Sequence, residues 1–242
     1  MIKDAIEDLK KGRPILLFDS DDREGETDIV IPAISTTHKD VAMMRKDGGG
    51  LICVSIHPDA AKKFGLPFIT DLLRYVGNNG YSNLLRIVEK EGDLKYDSKS
   101  AFSLWVNHVN TFTGIPDIDR SLTIRELGKA VREVLNGKPF DFGSEFRCPG
   151  HVPILRAADN LIDERRGQTE LSIALAEMTG ITPAMVVCEM LDDVSGKALS
   201  KNDAKRYAED KGLVFVEGRD VIYEYKKREG YNDKRKSMEV WR

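Results

Sequence analysis

Apolar residues along this chain fall into short continuous runs that alternate with segments of helical spacing. The continuous runs at 15–18, 29–31, 51–56, 102–106, 152–155, 184–190 and 213–216 predict buried strands. Helical spacing or helix-start residues predict helices at 2–9, 37–44, 58–64, 123–135, 169–178 and 200–211. Because strands and helices alternate, we expect an α+β fold, in which helices are layered on a mixed sheet.

Residues at the predicted helix ends refine these bounds. Thr123 and Glu126 have the spacing of a capping box, which places a helix start at Thr123. Gly180 is a natural stop for the helix at 169–178. Residues 71–99 contain several glycines and charges and have no clear period, so the pattern predicts no element there.

Length and composition favour a single domain. The chain has 242 residues and a formal net charge of -3, with a pI of about 5.9. We place the domain at 1–225 and a charged tail at 226–242, whose composition is typical of disorder. The acidic balance argues against a nucleic-acid partner, and the short apolar runs argue against a membrane span. Three widely spaced cysteines indicate a reducing cytoplasm rather than a disulfide framework.

The densest group of charges follows the first predicted strand. Six carboxylates lie between Asp19 and Asp28, around Arg23 and Gly25. Hard oxygen ligands suit magnesium or manganese, and strand ends are common ligand sites in α/β sheets. A solvated acidic turn explains the same residues, and the pattern leaves both interpretations open. A third interpretation is a haloacid dehalogenase type phosphatase, with Asp19 as nucleophile and Asp21 as acid and base.

Three later positions could also carry chemistry. His151 follows Pro149-Gly150 at the start of an apolar run and could transfer protons near neutral pH. The segment 165–170 precedes a predicted helix, where free N–H groups and Arg165 could bind phosphate. Glu189 ends an apolar run, so burial could raise its pKa. Each has an ordinary alternative: a structural histidine, a capped helix with surface arginines, and an acidic turn.

Together these segments resemble 3,4-dihydroxy-2-butanone 4-phosphate synthase of riboflavin biosynthesis, in its monofunctional archaeal form. The matching segments occur in the family's order, from about Ile2 to Val216. They are 22–28, 49–53, 112–115 with Asp119-Arg120, 147–152, 165–170 and Cys188-Glu189. Several collinear motifs are far more specific than any one of them.

The resemblance implies a lyase that converts D-ribulose 5-phosphate to L-3,4-dihydroxy-2-butanone 4-phosphate and formate. The route is metal-assisted enolisation, dehydration, skeletal rearrangement and loss of C4. It also implies the family's α+β fold, a homodimer with active sites near the interface, and Mg²⁺ or Mn²⁺ as cofactor.

Residue roles follow from the same resemblance. Catalysis would fall to Asp28, His151 and Glu189, with the order of proton transfers open. Substrate would be held by Arg23, Glu24, Asp28, Arg165, Gly167, Gln168, Thr169 and Glu189. Glu24 would bind metal. Gln168 stands where the family has a metal-binding histidine. An amide oxygen is a weaker, neutral ligand for manganese than imidazole, so either metal affinity is altered or the chain is an inactive homologue.

Overall fold

A mixed sheet forms the centre of the fold in the computed structural model, which describes the backbone of residues 2–239 and the side chains of 2–228. Within these residues the sheet has seven strands in the order β4-β5-β3-β6-β2-β1-β9, and β7 and β8 form a separate hairpin. The strands are β1 Ile15–Phe18, β2 Thr27–Pro32, β3 Cys53–Ile56, β4 Phe102–His108, β5 Phe146–Arg156, β6 Ala184–Glu189, β7 Leu191–Asp192, β8 Lys197–Ala198 and β9 Val214–Glu217. The pairs β3/β5 and β1/β9 are parallel, and the other sheet pairs are antiparallel.

Helices cover both faces of this sheet. They are α1 Ile2–Lys10, α2 His38–Met43, α3 Pro58–Phe64, α4 Ile69–Asn78, α5 Leu84–Ile87, α6 Asp117–Leu135, α7 Phe142–Glu145, α8 Gln168–Thr179, α9 Lys201–Lys211 and α10 Gly218–Glu239. One core joins the sheet to α2, α3, α6 and α9, and a second core joins the opposite face to α1, α8 and α10. The predicted α+β fold with a layered sheet is confirmed.

Strand β1 is apolar along its whole length because both of its faces are covered. In β1, Leu16 packs into the first core, whereas Ile15 and Leu17 pack into the second. Strands buried on both faces read as continuous apolar runs, which is the pattern found in the sequence. Helix α8 is buried on nearly every side, which holds its first turn in a fixed position against the sheet.

Several predicted bounds agree with the structure, and one helix start is wrong. The strand at Ile15–Phe18 and the helix at Pro58–Phe64 are confirmed at both ends. Helix α6 begins at Asp117 rather than at Thr123. The Thr123 hydroxyl oxygen does not cap the helix, because it accepts the His108 N–H at 3.0 Å, at the end of β4.

The segment without a predicted element contains two helices and a long connection. After α4 and α5, residues 88–101 have no regular structure and lie against the ends of the sheet strands. Helix α10 crosses the boundary expected at residue 225, so the separate charged tail stays a prediction. Residues 240–242 of that tail lie outside the described residues. In the described part of the chain, no helix combines the length and apolar character needed to cross a membrane.

Candidate active site

A cavity of about 270 Å³ lies where β2 begins and β6 ends, beside the first turn of α8. Asp28 of β2 and Glu189 of β6 are directly paired across these two strands. Paired residues of antiparallel strands point to the same face of the sheet, which here is the face that carries α8. The polar side chains that line the cavity are Glu24, Asp28, Glu89, Tyr96, Ser100, Arg165, Gln168, Thr169 and Glu189.

Asp19 gives the acidic loop its shape. Its buried carboxylate accepts the N–H groups of Glu24 and Glu26, each at 3.0 Å. It also pairs with Arg23 at 3.2 Å. Gly25 adopts a left-handed conformation with φ of 69°, which lets the loop turn back toward β2. These contacts present Glu24 to the cavity.

The phosphatase interpretation does not fit this geometry. The Asp19 carboxylate is committed to holding the loop. The Asp21 side chain is 82% exposed and pairs with Lys201 at 3.4 Å. Neither residue lines the cavity that contains Asp28 and Glu189.

Asp28 and Glu189 form a pair of carboxyls whose ionisation is disfavoured. Burial raises the pKa of Asp28 well above its ordinary range, and the charge of Glu189 raises it further. One Asp28 oxygen, Oδ1, is buried with no hydrogen-bond partner among the described residues. Burial also raises the pKa of Glu189, but N–H groups that it accepts, including that of Leu51 at 2.7 Å, oppose this shift. Two neighbouring carboxyls with such unequal environments are suited to acid and base roles.

Gly50 makes room for the Glu189 carboxylate. A Cβ atom at position 50 would lie 2.3 Å from the Glu189 Oε2 and 2.8 Å from its backbone oxygen. No side chain fits at such distances, so the glycine in the 49–53 motif has a steric role at the site.

The amide of Gln168 is held in one orientation. Its Nε2 donates to the backbone oxygens of Leu17 at 3.0 Å and Glu26 at 3.1 Å. Its Oε1 is buried and has no donor among the described residues. Because both donors are used by the backbone, the oxygen is the part of this amide left for a ligand.

Arg23 and Arg165 converge on the start of α8. Gly167 is the N-cap residue, and a Cβ there would lie 2.7 Å from Arg23 Nη2 and 2.9 Å from Arg165 Nη1. The Arg165 guanidinium is also fixed by buried Glu170, whose Oε2 accepts Nη1 at 2.9 Å. Thr169 lies in the same first turn and lines the cavity. Two guanidiniums and a helix N-terminus form an anion-binding arrangement.

His151 is the one predicted catalytic residue that lies apart from the cavity. It belongs to β5, which is separated from β6 by β3. Its side chain is exposed, and its backbone N–H donates to Asn107 Oδ1 at 2.8 Å. The structure therefore groups Asp28 and Glu189 in one copy of the chain, without His151.

Sequence reasoning missed three residues of the connection after α5. Glu89 and Tyr96 line the cavity, and the Tyr96 ring centroid lies 5.2 Å from the Arg23 guanidinium carbon. Asp97 pairs with both Arg23 and Arg165. No periodicity marks this segment. The acidic and aromatic residues before Ser100-Ala101 are the feature of the sequence that could have indicated a role at the site.

Comparison with known proteins decides the family. The sequence pattern of the 3,4-dihydroxy-2-butanone 4-phosphate synthases matches residues 3–224. The chain belongs to this family. The synthase of Methanosarcina mazei is 60% identical over 224 residues, which cover 93% of this chain and 90% of that protein. The synthase of Archaeoglobus fulgidus is 57% identical, covering 93% of this chain and 94% of that protein.

Solved synthase structures have the same fold. A 3,4-dihydroxy-2-butanone 4-phosphate synthase in complex with two magnesium ions superposes with a TM-score of 0.76 at 28% identity. The match covers 95% of this chain and 98% of that one. The Candida albicans synthase gives a TM-score of 0.71 at 26% identity, covering 93% and 96%. The family expected from the ordered motifs is thus confirmed.

Proposed function

We propose that this protein converts D-ribulose 5-phosphate to L-3,4-dihydroxy-2-butanone 4-phosphate and formate, for riboflavin biosynthesis. The observation that carries the proposal is the pairing of Asp28 with Glu189 in a cavity that also contains an anion-binding helix start. The family supports the same activity. A cytoplasmic location is part of the proposal, and the free state of Cys53, Cys148 and Cys188 supports it.

Asp28 and Glu189 would share the proton transfers. Forming an enediol beside a ketone requires a base for the carbon-bound proton, and loss of a hydroxyl requires an acid. Asp28 is the better proton donor, because it is fully buried and its pKa is raised well above the ordinary range. Glu189 is the better base, because the Leu51 N–H stabilises its charged form.

The start of α8 would hold the substrate phosphate. Arg23, Arg165 and the Thr169 hydroxyl offer donors there, and the first N–H groups of the helix have no intrahelical partner. Anchoring the phosphate at this end places the carbon chain of the sugar toward Asp28 and Glu189. Fixed placement of the reacting atoms is itself a large part of catalysis.

The residues present fit a magnesium ion. Magnesium is commonly bound by one or two carboxylates, with water and substrate oxygens completing its shell. Glu24 and the unpartnered Gln168 Oε1 line the same cavity and would hold it. The described residues contain no cluster of three or more His, Cys, Asp or Glu side chains suited to a metal. When bound, the ion would polarise the substrate carbonyl and the adjacent hydroxyl.

Gln168 would shift the metal preference toward magnesium. We expect Gln168→His to bind Mn²⁺ roughly tenfold more tightly while Mg²⁺ affinity changes less, because imidazole suits the transition metal better than an amide oxygen does. Titration of the free Mn²⁺ signal by electron paramagnetic resonance measures this without turnover. An unchanged Mn²⁺ affinity would remove position 168 from the metal site.

A homodimer would give His151 a role. Exposed apolar side chains occur on β4, which pairs with the strand of His151, in the segment that follows β4, and before β3: Trp105, Val109, Phe112, Ile115, Ile118 and Leu51. Phe112 is 98% exposed. Asn107 accepts the His151 N–H and donates to the Thr113 backbone oxygen, so it links His151 to the loop that follows β4. An apolar surface of this kind is suited to a second copy of the chain. Across that interface His151 would serve the cavity of the neighbouring copy.

Mixing two inactive variants tests this arrangement. We expect light scattering to give twice the chain mass of 27.2 kDa. His151→Ala and Glu189→Gln should each be inactive alone. After equal mixing and subunit exchange, half of the dimers are mixed and one of their two sites is intact, so about a quarter of the activity should return. A dimer that regains no activity would confine His151 to its own chain.

The activity itself is tested by formate release from ribulose 5-phosphate. With Mg²⁺ we expect one formate per substrate consumed, and none after chelation with EDTA. Release of inorganic phosphate without formate would contradict the synthase activity. Absence of both products would indicate an inactive homologue.

A further inference from the structure

Asp97 occupies the position between the two arginines that the proposed function assigns to phosphate. Its Oδ2 accepts Arg165 Nε at 2.8 Å and also pairs with Arg23 Nη2. The side chains of Asp97 and Arg23 are only 9% and 7% exposed, so this contact is almost fully withdrawn from water. A carboxylate held in this way is an internal anion at an anion site.

The Asp97 carboxylate leaves one donor group of this site without a hydrogen-bond partner. Arg23 Nε is buried and has no partner among the described residues. Both contacts of Asp97 use a single oxygen, whereas a phosphate ester presents three oxygens and a charge of about -1.5 to -2. A phosphate can therefore meet both guanidiniums and the first N–H groups of α8 at once.

Asp97 is the carboxylate that a phosphate would displace most readily, because it bridges both arginines. Arg23 and Arg165 are paired with four carboxylates: Asp19, Glu24, Asp97 and Glu170. Asp19 and Glu170 also accept backbone N–H groups, which fix them in place. Among the described residues, the Asp97 carboxylate forms hydrogen bonds only with the two arginines. Asp97 also lies in the irregular segment 88–101.

We propose that Asp97 is a specificity-determining residue that competes with the substrate phosphate for Arg23 and Arg165. A phosphate ester displaces the carboxylate because it brings more charge and more acceptor oxygens. A neutral sugar cannot, so the arginines stay paired with Asp97 and the phosphate subsite stays closed to it. This inference rests on the proposed function only for the identity of the phosphate subsite.

Calorimetric titration with inorganic phosphate tests the competition. Asp97→Asn should bind phosphate roughly tenfold more tightly than the native protein, since the competing charge is removed while the side-chain size is kept. Asp93→Asn is the matched control. Asp93 lies in the same segment but accepts the Lys90 N–H at 2.8 Å and does not pair with the arginines, so its variant should bind phosphate as the native protein does. Unchanged or weaker binding by Asp97→Asn would overturn the proposal.

Hydrogen exchange of the native protein gives a second test that needs no variant. Saturating phosphate should accelerate amide exchange across residues 94–100, because displacement of Asp97 frees this segment. Slower or unchanged exchange there would count against displacement.

The variant Arg165→Ala distinguishes a failure of the proposed phosphate subsite from a failure of the proposed competition by Asp97. If Arg165→Ala leaves phosphate binding intact, the phosphate subsite itself is wrong and Asp97 has nothing to compete with. If Arg165→Ala abolishes binding while Asp97→Asn fails to tighten it, the subsite stands and the inference about Asp97 fails.

Discussion

Replacing Glu189 with glutamine should lower kcat/KM for ribulose 5-phosphate by roughly 10²- to 10⁴-fold, the usual contribution of a positioned acid or base. The amide keeps the side-chain shape and can still accept the Leu51 N–H, but it cannot take up a proton. Substrate binding should change much less than kcat. In the native protein, kcat/KM should fall on the acid side as the base is protonated, and the raised pKa of Glu189 moves this fall toward neutral pH. The variant should lose this acid-side fall.

Asp192→Asn is the control for this variant. Asp192 lies in β7, close to Glu189 in the chain, but its carboxylate is engaged in the turn with Val194 and Ser195. This variant should keep native activity. If Glu189→Gln kept kcat within a few-fold of the native value, Glu189 could not be the base.

Replacing Asp28 with asparagine should lower the activity strongly and stabilise the metal-free protein at the same time. The loss in kcat/KM should again be roughly 10²- to 10⁴-fold, because the proton donor is removed. The free energy of unfolding at pH 8 should rise by roughly 0.5–2 kcal/mol, since a neutral amide replaces a carboxyl whose ionised form is buried beside Glu189. Urea unfolding in EDTA measures this change.

The sign of the pH dependence gives a sharper test of Asp28. A carboxyl with a pKa raised in the folded state destabilises that state as pH rises and the proton is lost. The stabilisation by Asp28→Asn should therefore be absent at low pH, where Asp28 is protonated in both states, grow as pH rises above the ordinary carboxyl pKa of the unfolded chain, and level off above the raised pKa. Asp21→Asn, an exposed change in the same acidic loop, should alter neither activity nor stability. Destabilisation by Asp28→Asn at pH 8 would contradict the repulsion described here.

Sequence patterns predicted the strands and helix ends that depend on neighbouring residues in the chain. The strand Ile15–Phe18 is apolar because helices cover both of its faces, and this burial is visible as a continuous run. Helix α8 ends at Thr179 and is capped by Gly180, whose φ of 74° suits glycine. The start of α6 was missed because Thr123 has the spacing of a cap, but its hydroxyl bonds to the β4 backbone instead. A tertiary contact of this kind leaves no trace in the local sequence.

The candidate site was predictable where chemistry is concentrated in motifs. Glu24, Asp28 and Glu189 were placed in one site by resemblance, and the structure brings them to one cavity. The direct pairing of Asp28 with Glu189 depends on strand register, which single-sequence patterns do not specify. Tyr96 and Asp97 were missed because they belong to an irregular segment whose position depends on long-range ion pairs.

The most direct test of the proposed reaction follows a carbon atom through it. Ribulose 5-phosphate labelled with ¹³C at C4 is incubated with the protein and Mg²⁺, and the products are observed by ¹³C nuclear magnetic resonance. The proposed loss of C4 predicts that the label leaves as formate and that the four-carbon phosphate carries none. Label retained in a sugar phosphate, or in free ribulose after loss of phosphate, would contradict it.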